Sequence, residues 1–213
     1  MTIPLSSKSE SFYHKVMKEL IYQQIKTQGN VKKSTKEKRI ENNQADVFFQ
    51  LHNGNKIAVE VQHSPKTVKD IIAKNKEYAE NDTYVLWILH AKGLCIEDPK
   101  PKRNKKNIKI SAVENFLHGM YGGRVYYIDF YENRKTISPP YALHFHCRKK
   151  RHKKPRKKGY KTYYIRDMYF SHIPSWNLVC NEFGEYKLAR FFDKKYTLEK
   201  KRKTKKAGGN KQW

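Results

Sequence analysis

The sequence predicts an α/β domain, a mixed central sheet flanked by helices, followed by a basic C-terminal extension. Three observations carry this. Asn53-Gly54 lies between two apolar runs, the strongest short-range hairpin signal. A helical segment precedes that hairpin. A second helical segment separates it from an unbroken apolar run, which makes a crossover between two parallel strands.

The first helix is expected over residues 9–28, with Ser9 as N-cap. Phe12, Tyr13, Val16, Met17, Leu20, Ile21 and Ile25 fall at helical spacing. Glu10, His14 and Lys18 form a stripe at i, i+4, i+8 beside that face, which reads first as a solvated flank. The sharper alternative is that Glu10 and His14 border a cleft. Gly29-Asn30 ends the helix, and lysine-rich residues 31–43 read as a short edge strand and a loop.

The hairpin follows over residues 44–62, and His63-Ser64-Pro65 breaks it. Pro65 suits the first turn of a helix over residues 66–81. Residues 83–90 (TYVLWILH) suit a strand buried on both faces. Residues 98–106 form a proline-marked basic loop, 113–120 a short helix and Gly122-Gly123 a turn. RVYYIDFY at 124–131 and YALHFHC at 141–147 read as strands. The domain is placed at 1–147. The extension, 148–213, is expected to fold back in part and to end in a disordered lysine-rich tail.

The formal net charge is +26, so a polyanion is the expected partner. Nucleic acid leads, because each neutralised phosphate releases counterions. DNA is the first choice and RNA stays open. An anionic membrane is disfavoured, since no apolar run approaches a membrane span. The basic block RKKRHKKPRKK supplies Lys149, Lys150, Arg151, Lys153, Lys154, Arg156, Lys157 and Lys158 as backbone-binding candidates. Cys95, Cys147 and Cys180 form neither a disulfide framework nor a CxxC pattern, and no signal sequence is visible. A cytoplasmic setting is the expectation. His144, His146, Cys147 and His152 look like a zinc set, but strand alternation sends Cys147 away from the two histidines, so a structural role is expected. Tyr126, Tyr127, Tyr163 and Tyr164 could stack on unpaired bases, although at strand spacing they read first as sheet residues.

Hairpin pairing brings Asp46, early in the first strand, close to Glu60, late in the second. Two carboxylates at one end of a hairpin on a basic protein suggest a divalent metal site facing a phosphodiester. Glu60 and Gln62 leave the same strand face, while Val61 points into the core and offers its carbonyl as a further ligand. Gln62 is neutral, so it positions water rather than acting as a base.

Asp46 followed by Glu60-x-Gln62 on adjacent strands, then a helix, resembles the PD-(D/E)XK nuclease core. More narrowly, the chain resembles the CoiA-like competence nucleases. Their Glu-x3-His-x3-Lys helix is matched by Glu10, His14 and Lys18, and their Ala-Asp-Val by Ala45-Asp46-Val47. Glu-x-Gln-x-Ser is matched by Glu60 to Ser64, the helical basic residue and Tyr by Lys74 and Tyr78, and Trp-Ile-Leu by Trp87-Ile88-Leu89. Tyr121 to Tyr127 (YGGRVYY) resembles the later region, so the likeness covers residues 9–147.

Lysine is the commoner residue where Gln62 stands, and Lys74 is the candidate for the missing cation. The family often has an N-terminal extension rich in Cys and His; this sequence begins at the nuclease helix, so no role of that extension is carried over. The resemblance implies a restriction-endonuclease-like fold and Mg²⁺- or Mn²⁺-dependent DNA hydrolysis in DNA uptake, recombination or mobile-element processing. Asp46, Glu60 and the Val61 carbonyl would hold metal, Gln62 would position water, and Glu10 and Lys74 would support catalysis. A homodimer or a recombination-protein partner fits that setting. The rival reading is a non-catalytic nucleic-acid-binding protein on the same scaffold.

Overall fold

A computed structural model describes residues 12–62, 66–91, 111–131, 134–151, 162–173 and 175–192. Within these residues the order is α1 (Phe12–Lys26), β1 (Val31–Ile40), β2 (Asn43–Leu51), β3 (Lys56–Gln62), α2 (Val68–Glu80), β4 (Thr83–His90) and α3 (Ala112–Met120). Then come β5 (Val125–Ile128), β6 (Phe130–Tyr131), β7 (Thr136–Ile137), β8 (Tyr141–Arg151), β9 (Thr162–His172), β10 (Leu178–Phe183) and β11 (Tyr186–Phe191). The main sheet runs β1-β2-β3-β4-β5-β8-β9, and β11 joins β4 and carries β10. It is mixed: β3, β4 and β5 are parallel, and the flanking pairs are antiparallel. The α/β expectation of a mixed sheet flanked by helices holds.

The hairpin closes through a type I turn. Gly54 N–H donates to Leu51 C=O at 3.0 Å, and Leu51 N–H donates to Asn55 C=O at 2.9 Å. Gly54 alone in this loop has positive φ, +91°, the role glycine plays in a bulged hairpin. In the ladder Val47 faces Val59. The next positions along are Asp46 and Glu60, as the hairpin reading required.

The crossover helix α2 begins at Val68, capped by Thr67 with Asp70 completing a capping box. Its first turn therefore does not contain Pro65, which corrects that expectation; residues 63–65 lie outside the described residues. β3 and β4 are parallel in register from Lys56–Thr83 to Gln62–Leu89.

The two faces of the sheet carry different helices. Phe49 stacks on Tyr22 of α1 and pairs with Ile57, so odd positions of β3 face α1. Glu60 is bonded by Lys74 and Tyr78, so even positions face α2. Met17, Ile21 and Ile25 of α1 are fully buried, as the spacing predicts. Phe12 and Tyr13 are not, at 69% and 38% exposure, so the apolar face of α1 is shorter than expected.

Three further expectations change. Residues 31–40 form one long edge strand rather than a short strand and a loop, because β2 offers pairing along the whole stretch. Its exposed lysines are a usual guard against edge-to-edge pairing. Residues 124–131 divide into β5 and β6 around Asp129, and β6 turns away to pair with β7. The boundary placed between 147 and 148 falls inside β8. β9 continues the main sheet, and Leu188 of β11 pairs with Val85 of β4 at its centre.

β5 covers only the last part of one β4 edge, at Ile88 to His90, and β11 meets that edge at Val85. Between them the Tyr121 hydroxyl accepts from Trp87 N–H at 2.9 Å and donates to Val85 C=O at 3.0 Å. A buried tyrosine thus satisfies backbone groups that no strand reaches. Burial pushes the Tyr121 pKa far up, keeping the hydroxyl able to donate. Tyr126 and Tyr127 are also buried, at 0% and 3% exposure, so they are core residues and not stacking platforms.

Among the described residues no helix is long and apolar enough to cross a membrane. The 98–106 loop, most of the basic block and the tail from 193 lie outside the described residues, as do the side chains of residues 143–151 and 162–172.

Asn75 is 1% exposed and ties α2 to the sheet: its Oδ1 accepts the Trp87 indole N–H at 2.8 Å. Replacing Asn75 by Ala leaves that N–H buried without its acceptor and opens a small void. Urea unfolding should show a loss of about 2–3 kcal/mol. An unchanged midpoint would mean that Trp87 finds another acceptor.

Candidate active site

Asp46 sits where β2 and β3 stop pairing. Its Oδ2 accepts Val61 N–H at 2.7 Å, so the side chain closes the sheet beyond the last ladder pair. His14 of α1 approaches the same oxygen, with Nε2 at 3.4 Å. Burial by itself would raise the Asp46 pKa; the His14 contact, the Val61 N–H and the nearby charge of Lys18 outweigh it and hold the carboxyl below its ordinary value. Asp46 is therefore ionised at neutral pH. Among the described residues its Oδ1 takes no hydrogen bond.

Glu60 is 2% exposed. Its Oε2 accepts from the Lys74 ammonium at 2.6 Å, and its Oε1 from the Tyr78 hydroxyl at 2.6 Å. Lys74 also reaches the Gln44 carbonyl at 3.2 Å, which fastens α2 to the start of β2. Burial is the largest influence on Glu60 and raises its pKa; Lys74 opposes this, and the like charge of Asp46 adds to it. The two carboxylates are thus close enough to repel. Val61, between Glu60 and Gln62, is buried at 4% exposure.

Beside Asp46 opens a cleft of ≈ 290 Å³ between α1 and β1, lined by Lys15, Lys18, Glu19, Lys36, Glu37 and Asp46. It reaches Asp46 but not Glu60, which lies deeper under α2. Lys18 is only 7% exposed, and its Nζ donates to Glu37 Oε1 at 2.7 Å. His14 and Lys18 of the stripe are therefore no solvated flank: Lys18 lines the cleft and His14 meets Asp46 at its wall, which corrects the first reading for these two residues.

The structure brings together Asp46, Glu60, Val61 and Lys74. Of the two carboxylates Lys74 bonds Glu60. Gln62 follows on the α2 face of β3. Glu10 and most of the basic block lie outside the described residues, as do the side chains of Lys149, Lys150 and Arg151. The zinc-like set of His144, His146, Cys147 and His152 lies outside them too at the level of side chains. The sequence assigns no role to Tyr78 or Lys18, and it makes Glu37 a weaker candidate than Glu10 for a carboxylate near the metal, because the register of Glu37 against the hairpin is not fixed by local signals. Tyr78 had a signal, since it lies four residues after Lys74 on one helix face.

Among the described residues no three His, Cys, Asp or Glu side chains stand together as a metal cluster. Asp46 and Glu60 are nonetheless a hard oxygen pair whose mutual repulsion a divalent cation would relieve. Carboxylate oxygens are the donor type that Mg²⁺ and Mn²⁺ prefer, and the remaining ligands would come from backbone or water.

Because the Glu60 pKa is raised above its ordinary 4.5, its contribution to stability is full below that value and is lost as pH rises through the folded-state value. Asp46 runs the other way: its contribution is present above its ordinary 3.8 and is lost as pH falls through the lowered value. Lys74→Met removes the counter-ion of Glu60. Chemical denaturation should show a loss of about 3 kcal/mol in alkaline solution and a smaller one in acidic solution, as Glu60 takes a proton. A loss equal at both pH values would assign Lys74 to packing alone.

The family model described as competence protein CoiA, nuclease-like domain, matches residues 10–172. No curated protein and no solved structure matches. The matched span is more than half of the chain and ends at the last residue of β9. It contains both carboxylates, Gln62, Lys74 and the α1 stripe, while β10 and β11 complete the sheet from outside it. The chain therefore belongs to the family of the competence protein CoiA nuclease-like domain.

Proposed function

We propose that this protein is a Mg²⁺- or Mn²⁺-dependent nuclease acting on DNA. The observation that carries the proposal is the placing of Asp46 and Glu60 at adjoining ends of β2 and β3, beside a cleft lined by lysines. Membership of a nuclease-like family supports it, and so does a net charge of +26.

Asp46 and Glu60 would hold the cation, with the Val61 carbonyl the nearest backbone oxygen in sequence between Glu60 and Gln62. Such a cation supplies charge neutralisation at a scissile phosphate and acidifies water. The other roles fall to side chains of this chain. His14 and Val61 N–H keep Asp46 ionised and fixed. Tyr78 fixes one oxygen of Glu60, and Lys74 balances its buried charge. The Gln62 amide can orient a water by hydrogen bonding but cannot take its proton. Hydrolysis joins the water oxygen to phosphorus and releases one ester oxygen, which takes up a proton. The basic block from Lys149 to Lys158 and the lysines of β1 would grip the backbone without reading bases. The family points to a setting in competence, and DNA uptake, recombination or mobile-element processing would each fit it.

One observation favours a second reading. Both Glu60 oxygens are engaged by Lys74 and Tyr78. A site so satisfied internally suits a non-catalytic scaffold that binds nucleic acid by charge.

Purified protein should cleave linear, circular, single-stranded or branched DNA in Mn²⁺ and not in EDTA. Asp46→Asn and Glu60→Gln should each lower the rate by about 100-fold or more while leaving DNA binding intact. Cleavage that survives both substitutions would move the active centre elsewhere. Binding without cleavage on every substrate would favour the scaffold reading. Lys74→Ala with unchanged metal-dependent cleavage would remove Lys74 from the mechanism.

A further inference from the structure

We propose that the cleft beside Asp46 is a seat for one phosphate of the substrate backbone, and that the Glu37 carboxylate occupies that seat in the free protein. The substrate class rests on the nuclease reading; the seat rests on the cleft itself.

Glu37 has φ +53° in the middle of β1, a left-handed conformation that L-residues adopt only at a cost. On this strand Ser34 reaches Tyr22 and Lys36 reaches Glu19, both on α1. Strict alternation would send Glu37 to the opposite face. The positive φ brings its carboxylate to α1 instead, onto Lys18 at 2.7 Å. A strained backbone is thus spent on placing an anion in a basic cleft.

The two partners are unequal. The Lys18 side chain is 9% exposed and that of Glu37 53% exposed. A cation so buried needs an anion beside it. A half-exposed carboxylate on an edge strand can give way. A phosphodiester can replace it, because its charged oxygens accept the same strong hydrogen bonds. Lys15 and Lys36 line the same space, and Asp46 forms its inner wall. A phosphate seated on Lys18 therefore lies beside Asp46, one of the two carboxylates that the nuclease reading equips for hydrolysis. Glu37 is then a placeholder that keeps Lys18 in position and excludes weaker anions.

The test is binding of a short single-stranded DNA oligonucleotide, read by fluorescence anisotropy in EDTA, with thermal unfolding run on each variant. Glu37→Gln should bind about fivefold more tightly, since a competing ion pair is gone. Lys18→Met should bind more weakly, and Glu37→Gln should add nothing in that background. If Lys18→Met does not fold, Lys18→Arg keeps the cation, and Glu37→Gln should still tighten binding there. Glu41→Gln, which removes a charge just past the end of β1, should change little. Unchanged or weaker binding by a folded Glu37→Gln protein overturns the seat. So does equal tightening with Lys18 replaced by Met, or by Glu41→Gln, because loss of bulk negative charge then explains the effect. Binding in EDTA does not depend on hydrolysis. Tightening without cleavage would keep the seat and remove the nuclease reading; cleavage without tightening would remove the seat alone.

Discussion

A carboxylate as buried as Glu60 must be satisfied, and satisfying it organises the centre of this protein. Lys74 and Tyr78 supply the two hydrogen bonds from successive turns of α2. That fixes the rotation of α2 about its axis and its height along β3. The same rotation points Asn75 at the Trp87 indole, so β4 is tied to α2 by a second buried polar contact. Polar contacts of this kind specify one arrangement, because any slip of the helix strands a charge in the core. The stabilisation of the pair is modest against its desolvation, but breaking it is costly.

Asp46 plays the complementary part at the open end of the hairpin. Its carboxylate completes the sheet through Val61 N–H, yet it remains accessible from the cleft. The two carboxylates therefore differ in kind although they stand together. Asp46 is held ionised and reachable, and Glu60 is held deep under a cation. Charge on the other side of the cleft is arranged in pairs, Lys18 with Glu37 and Lys36 with Glu19. Within a chain of net charge +26 these pairs are local exceptions. They neutralise the cleft while it is empty and leave its lysines available to a stronger anion.

Much of the fold was legible because its signals are local. The Asn53-Gly54 turn, the apolar run of β4 and the 3.6-residue spacing of α1 each follow from neighbouring residues. The juxtaposition of Asp46 and Glu60 was legible too, since hairpin register follows from the turn. β1 was less so: its lysine-rich sequence has no apolar alternation, and it is a strand because β2 offers an edge. β6 was missed, and the fold-back of the extension was expected without its β10–β11 strands, for a related reason. The pairing of Leu188 with Val85 joins residues far apart in the chain, and nothing near either residue signals it.

Composition and spacing by themselves determined the α/β class and the juxtaposition of the two carboxylates, because turn chemistry and strand period act over a few residues. The tertiary structure alone decided that Lys74 and Tyr78 share Glu60, that Lys18 of α1 faces a cleft, and that Glu37 turns against the alternation of its strand. Those outcomes depend on which buried charges must find partners once α1 and α2 close over the sheet, and that demand exists only in the folded chain.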